Sequence, residues 1–318
     1  MVIYCFIAAN LPMYYIVFGI LYLISLLPLS FLYLLSYFFY FITYYIAGYR
    51  RETVFKNLAI AFPEKTMAER KLIAKQFYRY FWDNWIEALK LMSISATEVR
   101  KHVSSNLAAL ETAYASGRSC HISLGHQFNW EWGNAIVTLQ GSYTLLAAYS
   151  PLSNKIFDRL FLHIRRRFGS VLLPFNDMRR AMLPYRHRQY ALALMADQSP
   201  PHPAKSYWLN FFNTPTAFLK GPEKGARLGN MPVIFISLSK PRRGYYHVEA
   251  SLLTDNAGQT TEGELTRKYV QALEANIRCN PPLYLWSHNR WKHEWKDGYG
   301  KGWVGEEPAG LGLTLPKF

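Results

Sequence analysis

The first 49 residues contain no Asp, Glu, Lys, Arg or His, and this constrains the chain more than any other feature. Every one of its charged side chains falls in the remaining residues, so the overall charged fraction of 18% averages an apolar leader and an ordinary, water-facing body. No second long uncharged stretch follows, which excludes a polytopic transporter. A simple cytosolic enzyme and a disordered chain are excluded by the same count. What remains is one membrane anchor, residues 1–49, and a body over 50–318, long enough for one large core.

About 20 apolar residues cross a bilayer, so Met13–Ser36 suffices for one span, with Pro28 marking a kink or a break into two shorter helices. A cleavable signal peptide fits poorly, because no basic segment precedes the apolar run and the run is too long. Sixteen Tyr and Phe side chains in the leader suit the membrane interface, where aromatic rings accumulate. Arg50, Arg51, Lys56 and Lys65 follow directly, and by the positive-inside rule they keep the body on the cytoplasmic face. Cys5, Cys120 and Cys279 are odd in number and widely spaced, as expected of free thiols in a reducing compartment.

Within the body, Thr66 and Glu69 form a capping box that opens a helix reaching about Met92, and Ser95 with Glu98 opens another toward Ala115. Apolar runs at Ser119–Leu124, Tyr143–Tyr149, Val171–Pro174, Tyr190–Ala196, Pro232–Ser239 and Tyr245–Leu253 predict strands. Helical patterns fit between them at Glu131–Leu139, Ser153–Arg167, Asp177–Arg186 and Phe218–Leu228, with a last helix over Glu262–Arg278. Strands alternating with helices predict an α/β fold, a mainly parallel sheet sandwiched by helices.

The chemistry concentrates in Cys120-His-Ile-Ser-Leu-Gly-His126-Gln-Phe-Asn-Trp-Glu131-Trp-Gly. A strand ends near Leu124, Gly125 permits a tight turn, and Asn129 is placed to cap the next helix. His126 then lies in the loop and Glu131 in the first helical turn, where the anion is favoured. From the loop, the imidazole can fold back so that the carboxylate holds one nitrogen and raises the basicity of the other, a pair suited to take a proton from a hydroxyl. The bland alternative, a histidine that caps a helix or a strand end, stays open on these residues alone. Strand C-terminal ends are nevertheless where open α/β sheets place their sites.

His126-x4-Glu131, preceded by Gly125 and followed by Trp132-Gly133, resembles the His-x4-Asp/Glu motif of glycerolipid-type acyltransferases. The surroundings are most similar to the late acyltransferases of lipid A biosynthesis, the lauroyl and myristoyl transferases. That resemblance covers most of the chain: the leader, Arg51–Glu64, the Arg165-Arg166-Arg167-Phe-Gly169 run, Ala196-Asp197-Gln198, Phe211-Phe212, Lys220-Gly221 and Tyr284–Lys292. It departs at Asn213, where the family usually has glycine, and at Asn289, where a second arginine is common.

The resemblance implies an enzyme in which His126 deprotonates an acceptor hydroxyl, Glu131 orients His126, and the hydroxyl attacks an acyl thioester. It implies acyl carrier protein or acyl-CoA as donor, an anionic glycolipid precursor of lipid A as acceptor, and attachment to the inner membrane of a Gram-negative cell. Arg165 or Arg167, and Asp197, carry over as substrate-binding supports. No metal or organic cofactor is expected. The alternatives are transfer to another lipid (a lysophospholipid, mannosylated lipid or aminolipid) or a membrane lipid-binding protein without catalysis. A net charge of +15 suits an acidic carrier and a phosphorylated head group alike.

Two further readings stay open. The stretch Trp286–Trp303 mixes indoles and cations, as either a membrane-interface surface or core tryptophans flanked by surface charge would. The arginine run at 165–167 is also what a solvated helix C-terminus looks like. A nucleic-acid surface is not expected, and no nucleophile elbow, Walker A or dinucleotide fingerprint occurs.

Overall fold

The computed structural model describes the backbone of residues 2–305 and, apart from residues 2–11 and 301, their side chains. Cys5 therefore lies outside the described side chains, whereas Cys120 is a buried free thiol and Cys279 an exposed one.

The leader folds as two helices. Helix α1 spans Val2–Leu26 and α2 spans Leu29–Phe41, continuing as a wider π-helical turn to Ile46. The break falls at Pro28, whose ring removes an N–H and disfavours helical geometry at the preceding residue. The expected Met13–Ser36 span is thus not one helix. Among the described residues, the helix long and apolar enough to cross a membrane by length and composition is Leu29–Ile46. Its outer face exposes Phe31, Leu34, Phe38, Phe41 and Tyr45 at helical spacing.

The remaining helices are α3 (Arg51–Ala61), α4 (Met67–Lys90), α5 (Ala96–His102), α6 (Ala108–Ala115), α7 (Trp130–Gln140), α8 (Lys155–Arg166), α9 (Met178–Ala181), α10 (Gly221–Leu228) and α11 (Glu264–Cys279). The strands are β1 (Val103–Asn106), β2 (Cys120–Leu124), β3 (Thr144–Tyr149), β4 (Val171–Pro174), β5 (Tyr190–Met195), β6 (Tyr207–Phe211), β7 (Thr214–Phe218), β8 (Val233–Arg242) and β9 (Tyr245–Thr254). Seven of them form one sheet in the order β1-β9-β8-β2-β5-β3-β4, parallel throughout except for the β8–β9 hairpin. The predicted α/β sandwich is the observed fold.

The capping box at Thr66 and Glu69 is made as expected, with Glu69 N–H donating to the Thr66 hydroxyl and Thr66 N–H to the Glu69 carboxylate. Three of the strands were not expected. Strand β1 interrupts the helix predicted over 95–115, because Val103–Asn106 pair in parallel with Tyr246–Glu249 at the sheet edge. Strands β6 and β7 form a separate hairpin whose two-residue turn is Phe212-Asn213, both left-handed at φ 51° and 55°. Asparagine tolerates that region, so the usual glycine is replaced without losing the turn.

One core lies between the sheet and α5–α7, with Ile122, Leu124, Ile234 and Ile236 facing Trp132 and Ile136. A second, rich in aromatic rings, joins α3, α4, α11 and the β6–β7 hairpin. Trp286 and Trp291 belong to this second core, and Arg290 is equally buried, donating to the Ala217 carbonyl and lying 4.2 Å from the Phe218 ring centre. Around these three residues the core reading of the C-terminal tryptophans holds.

Helix α2 lies antiparallel on α4, and the contact is polar as well as apolar. The Ser36 hydroxyl donates to Asp83 (2.7 Å) and the Tyr33 hydroxyl to Glu87 (2.7 Å). Lys240 and Arg243 complete the Asp83 cluster from β8 and the β8–β9 turn, at 3.2 and 2.5 Å. Lys90 closes the end of α1 by donating to the carbonyls of Ser25 and Leu27. A leader without charges of its own is therefore held by hydroxyls and main-chain carbonyls that meet buried charges of the body.

Candidate active site

Strand β2 and its parallel neighbour β5 occupy the middle of the sheet, and Leu124 is paired with Met195. Two residues beyond each lie His126 and Asp197, so the strand register delivers them to one place at the C-terminal edge. The His126 Nδ1 lies 2.6 Å from Asp197 Oδ1, and the His126 main-chain N–H donates to Oδ2 at 2.9 Å. Two contacts from one carboxylate fix both the ring and the loop that carries it.

Asp197 is buried, which on its own would raise its pKa. The neighbouring His126 ring and its two hydrogen bonds, with help from Arg290, hold it below the ordinary carboxylate value. With Nδ1–H given to this anion, the lone pair lies on Nε2. That nitrogen lies 3.3 Å from the Gln198 side-chain amide nitrogen. Gly125 is required behind it, because an added Cβ would collide with Leu273 and approach the Asp197 carboxylate.

Glu131 does not hold the imidazole, which corrects the expectation drawn from the five-residue spacing. Asn129 caps α7 as predicted, its side-chain oxygen accepting from the N–H groups of Glu131 and Trp132. The carboxylate that α7 then presents is taken by Arg165. The guanidinium Nε donates to both oxygens at 3.0 Å and Nη2 to one at 2.6 Å, while Trp130 Nε1 adds a bond at 3.0 Å. Burial would lower the Arg165 pKa, but Glu131 draws it above its ordinary value. The physical reason for the swap is direction. A planar fork approaching from α8 matches a carboxylate on two sides, whereas the imidazole meets a carboxylate placed by strand register.

Arg165 and Arg167 also separate. Arg165 reaches the site, whereas Arg167 points away and donates through Nη1 to the carbonyls of Leu91 and Ile94, pinning the chain beyond α4. Of the run, Arg165 lines the cavity described below and Arg167 does not.

One residue that the sequence did not single out supports the site from below. Glu87, on α4, is fully buried and accepts from Asn129 Nδ2 (3.0 Å), the Tyr33 hydroxyl (2.7 Å) and the Tyr246 hydroxyl (2.5 Å). Its main-chain carbonyl accepts from Trp132 Nε1 at 2.8 Å. The N-cap of α7 is thereby tied to the leader helix α2 through one carboxylate. A charged residue on the predicted inward face of α4 was the available signal, since buried charges are paired.

His126, Glu131 and Arg165 line the polar end of a cavity of about 560 Å³, a volume within the usual range for ligand sites. Its walls come from β2 (Ile122, Leu124), β3 (Leu145, Ala147), β5 (Ala193, Met195), β8 (Ile236, Leu238) and α7 (Gly133, Val137). Gly133 keeps it open, since an added Cβ would stand 3.2 Å from Leu238. The site thus joins a proton acceptor, a guanidinium and a long apolar chamber. Among the described residues no group of three or more His, Cys, Asp or Glu is placed to hold a metal.

Comparison with known proteins gives the arrangement a family. The model of the bacterial lipid A biosynthesis acyltransferases matches residues 7–293. A lipid A biosynthesis palmitoleoyltransferase of Escherichia coli (strain K12) is 22% identical over 246 residues, covering 76% of this chain and 79% of that protein. A lipid A biosynthesis acyltransferase of Shigella flexneri matches to the same extent, 22% over 246 residues with 76% and 79% coverage. The chain is an acyltransferase and belongs to the bacterial lipid A biosynthesis acyltransferase family.

Proposed function

We propose that the protein transfers a fatty acyl group from an acyl thioester to a hydroxyl of a lipid A precursor at the cytoplasmic face of the inner membrane. One observation carries this reading: the Nε2 of His126, met by the Gln198 amide at 3.3 Å, lies on a residue that lines the same cavity as the apolar walls. An acyl chain laid in the chamber brings its thioester carbonyl to that mouth. The acceptor hydroxyl then displaces the Gln198 amide at Nε2 and gives up its proton as its oxygen attacks the carbonyl carbon. Asp197 stabilises the imidazolium that forms. When the tetrahedral intermediate collapses, the carbon–sulfur bond breaks and the imidazolium returns the proton to the departing thiolate. No cofactor is required for this sequence.

In this reading Glu131 is a positioning residue rather than the partner of the base. It holds Arg165 in one orientation, and the remaining guanidinium nitrogen, Nη1, is free to meet the developing oxyanion or an acceptor phosphate. The donor is acyl carrier protein. The relatives' printed names support a lipid A acceptor, and a net charge of +15 is complementary to an acidic carrier. The leader helices supply the membrane attachment, and Arg50, Arg51 and Lys56 after them favour the cytoplasmic side.

The test is mass spectrometry of total lipids from cells with and without the gene, followed by transfer with purified protein. Loss of one acyl group from lipid A, restored by the wild-type chain and not by His126→Ala, is the expected result. An unchanged lipid A with a missing acyl group on another lipid would reassign the acceptor. With purified protein, equal turnover on acyl carrier protein and coenzyme A thioesters would remove the argument for the carrier.

A further inference from the structure

A second recess lies outside the chamber, between the leader and the body. It has a volume of about 420 Å³ and is lined by Tyr14 of α1 and by Arg159, Leu162, His163, Arg166 and Arg167 along and just beyond α8. It shares no lining residue with the catalytic cavity. On α8, positions 159, 162, 163 and 166 recur at helical spacing and form one stripe. No carboxylate lines the recess.

The cations of this stripe are unspent. Among the described residues Arg159 and Arg166 make no ion pair, and both are exposed. Arg159 lies 4.3 Å from the Tyr14 ring centre and 5.7 Å from that of Tyr15, so the leader holds it in place without neutralising it. Arg167 is fixed through Nη1 to main-chain carbonyls, leaving its other nitrogens available. His163 meets Phe18 edge-on at 5.0 Å. Like charges grouped on one helix face oppose each other, and nothing within the fold compensates them.

The wall opposite supplies the second half of the recognition. Tyr15, 5.7 Å from Arg159, is exposed beside the stripe, and α1 continues the apolar surface round its outer face with Met13, Ile16 and Ile20. Cations beside an apolar helix match one class of ligand, an amphiphile whose anionic head lies beside its hydrocarbon chains.

We propose that the recess between α1 and α8 binds the phosphate head group of an anionic bilayer phospholipid, with its acyl chains along the exposed face of α1. The site is distinct from that of the acceptor and does not depend on the proposed reaction. Each arginine facing an anionic head group contributes about a fivefold gain in affinity.

The test uses the full chain purified in a neutral detergent, with phosphatidylglycerol and phosphatidylcholine as probes. Native mass spectrometry counts bound lipid, and thermal unfolding records the stabilisation. The wild-type chain should retain phosphatidylglycerol over phosphatidylcholine. Arg166→Gln, which removes no hydrogen bond or ion pair among the described residues, should weaken that preference about fivefold, and Arg159→Gln/Arg166→Gln should remove most of it. Equal retention of the two lipids by the wild-type chain, or an unchanged preference in both variants, would overturn the proposal. Transfer activity in neutral detergent without added phospholipid separates the sources of phosphate. An unchanged KM for acceptor in Arg166→Gln supports a bilayer lipid, whereas a raised KM would assign the recess to the acceptor and overturn the assignment made here.

Discussion

His126 and Asp197 stand 2.6 Å apart because each lies two residues beyond a register pair, Leu124 and Met195, in adjacent parallel strands. The contact spans 71 residues of sequence and depends on the ladder, not on any local motif. It divides the polar contacts of the site in two: Asp197 meets the imidazole, and Glu131 meets Arg165.

This division predicts that Asp197 and Glu131 fail differently. Asp197→Asn removes the anion facing Nδ1 and loses an acceptor for the His126 main-chain N–H, so kcat should fall about 10²–10⁴-fold with KM little changed. Glu131→Gln leaves the half-buried Arg165 without its anion, a loss below the roughly 3–5 kcal/mol of a fully buried pair but above that of an exposed one. A lowered melting temperature should therefore accompany its loss of activity. Steady-state kinetics and thermal unfolding of both variants decide the matter; equal melting temperatures with equal kcat losses would contradict the division.

Glu87 should link the leader to the catalytic loop. Glu87→Leu strands the buried donors of Asn129, Tyr33 and Tyr246, each at about 1–3 kcal/mol, and loosens the cap of α7. The variant should melt well below wild type and turn over more slowly. Glu87→Gln, whose oxygen can still accept from Asn129 while the Tyr33 hydroxyl rotates to accept from its amide, should recover most of both. Wild-type turnover in a folded Glu87→Leu chain would show that the network stops short of the site.

Acyl chain length should follow the floor of the chamber. Leu145 is paired with Ala191, which is paired with Cys120, so this level lies six residues, roughly 20 Å, below His126. Val137 lies six residues along α7 from Glu131, about 9 Å deeper. Val137→Phe should shift preference to shorter chains and Leu145→Ala to longer ones, with discrimination of about fourfold per methylene. Competition between acyl donors of different length, read by mass spectrometry, measures it; an unchanged profile in both variants would place the chain elsewhere.

Acid should release the clasp between leader and body. Burial alone would raise the Asp83 pKa, but Lys240 and Arg243, aided by the Ser36 hydroxyl, hold it below the ordinary value. A carboxyl depressed in the folded chain contributes stability that is complete above its unfolded pKa, about 4, and lost as pH falls through the folded value. Stability should therefore decline below about pH 4. Asp83→Asn should be less stable at neutral pH, with a shallower acid limb in thermal unfolding; a parallel acid limb would remove Asp83 as a cause.

Local patterns carried much of this protein. The uncharged leader, the Thr66–Glu69 box, the Asn129 cap and six of the seven strands of the central sheet all follow from interactions within a few residues, which sequence periodicity displays directly. His126 at a strand end was legible for the same reason. The partner of His126 was not, because strand register is a property of two segments together. Nor could the run at 165–167 say that its first member turns inward to Glu131 while its third turns back to α4. Short strands β1, β6 and β7 escaped because their pairing, rather than their composition, makes them strands. Sequence alone determined an uncharged leader and an α/β acyltransferase body with a histidine at its sheet edge. The tertiary structure decided which carboxylate serves that histidine, because hydrogen bonds of fixed direction form only after parallel strands and packed helices have set the distances.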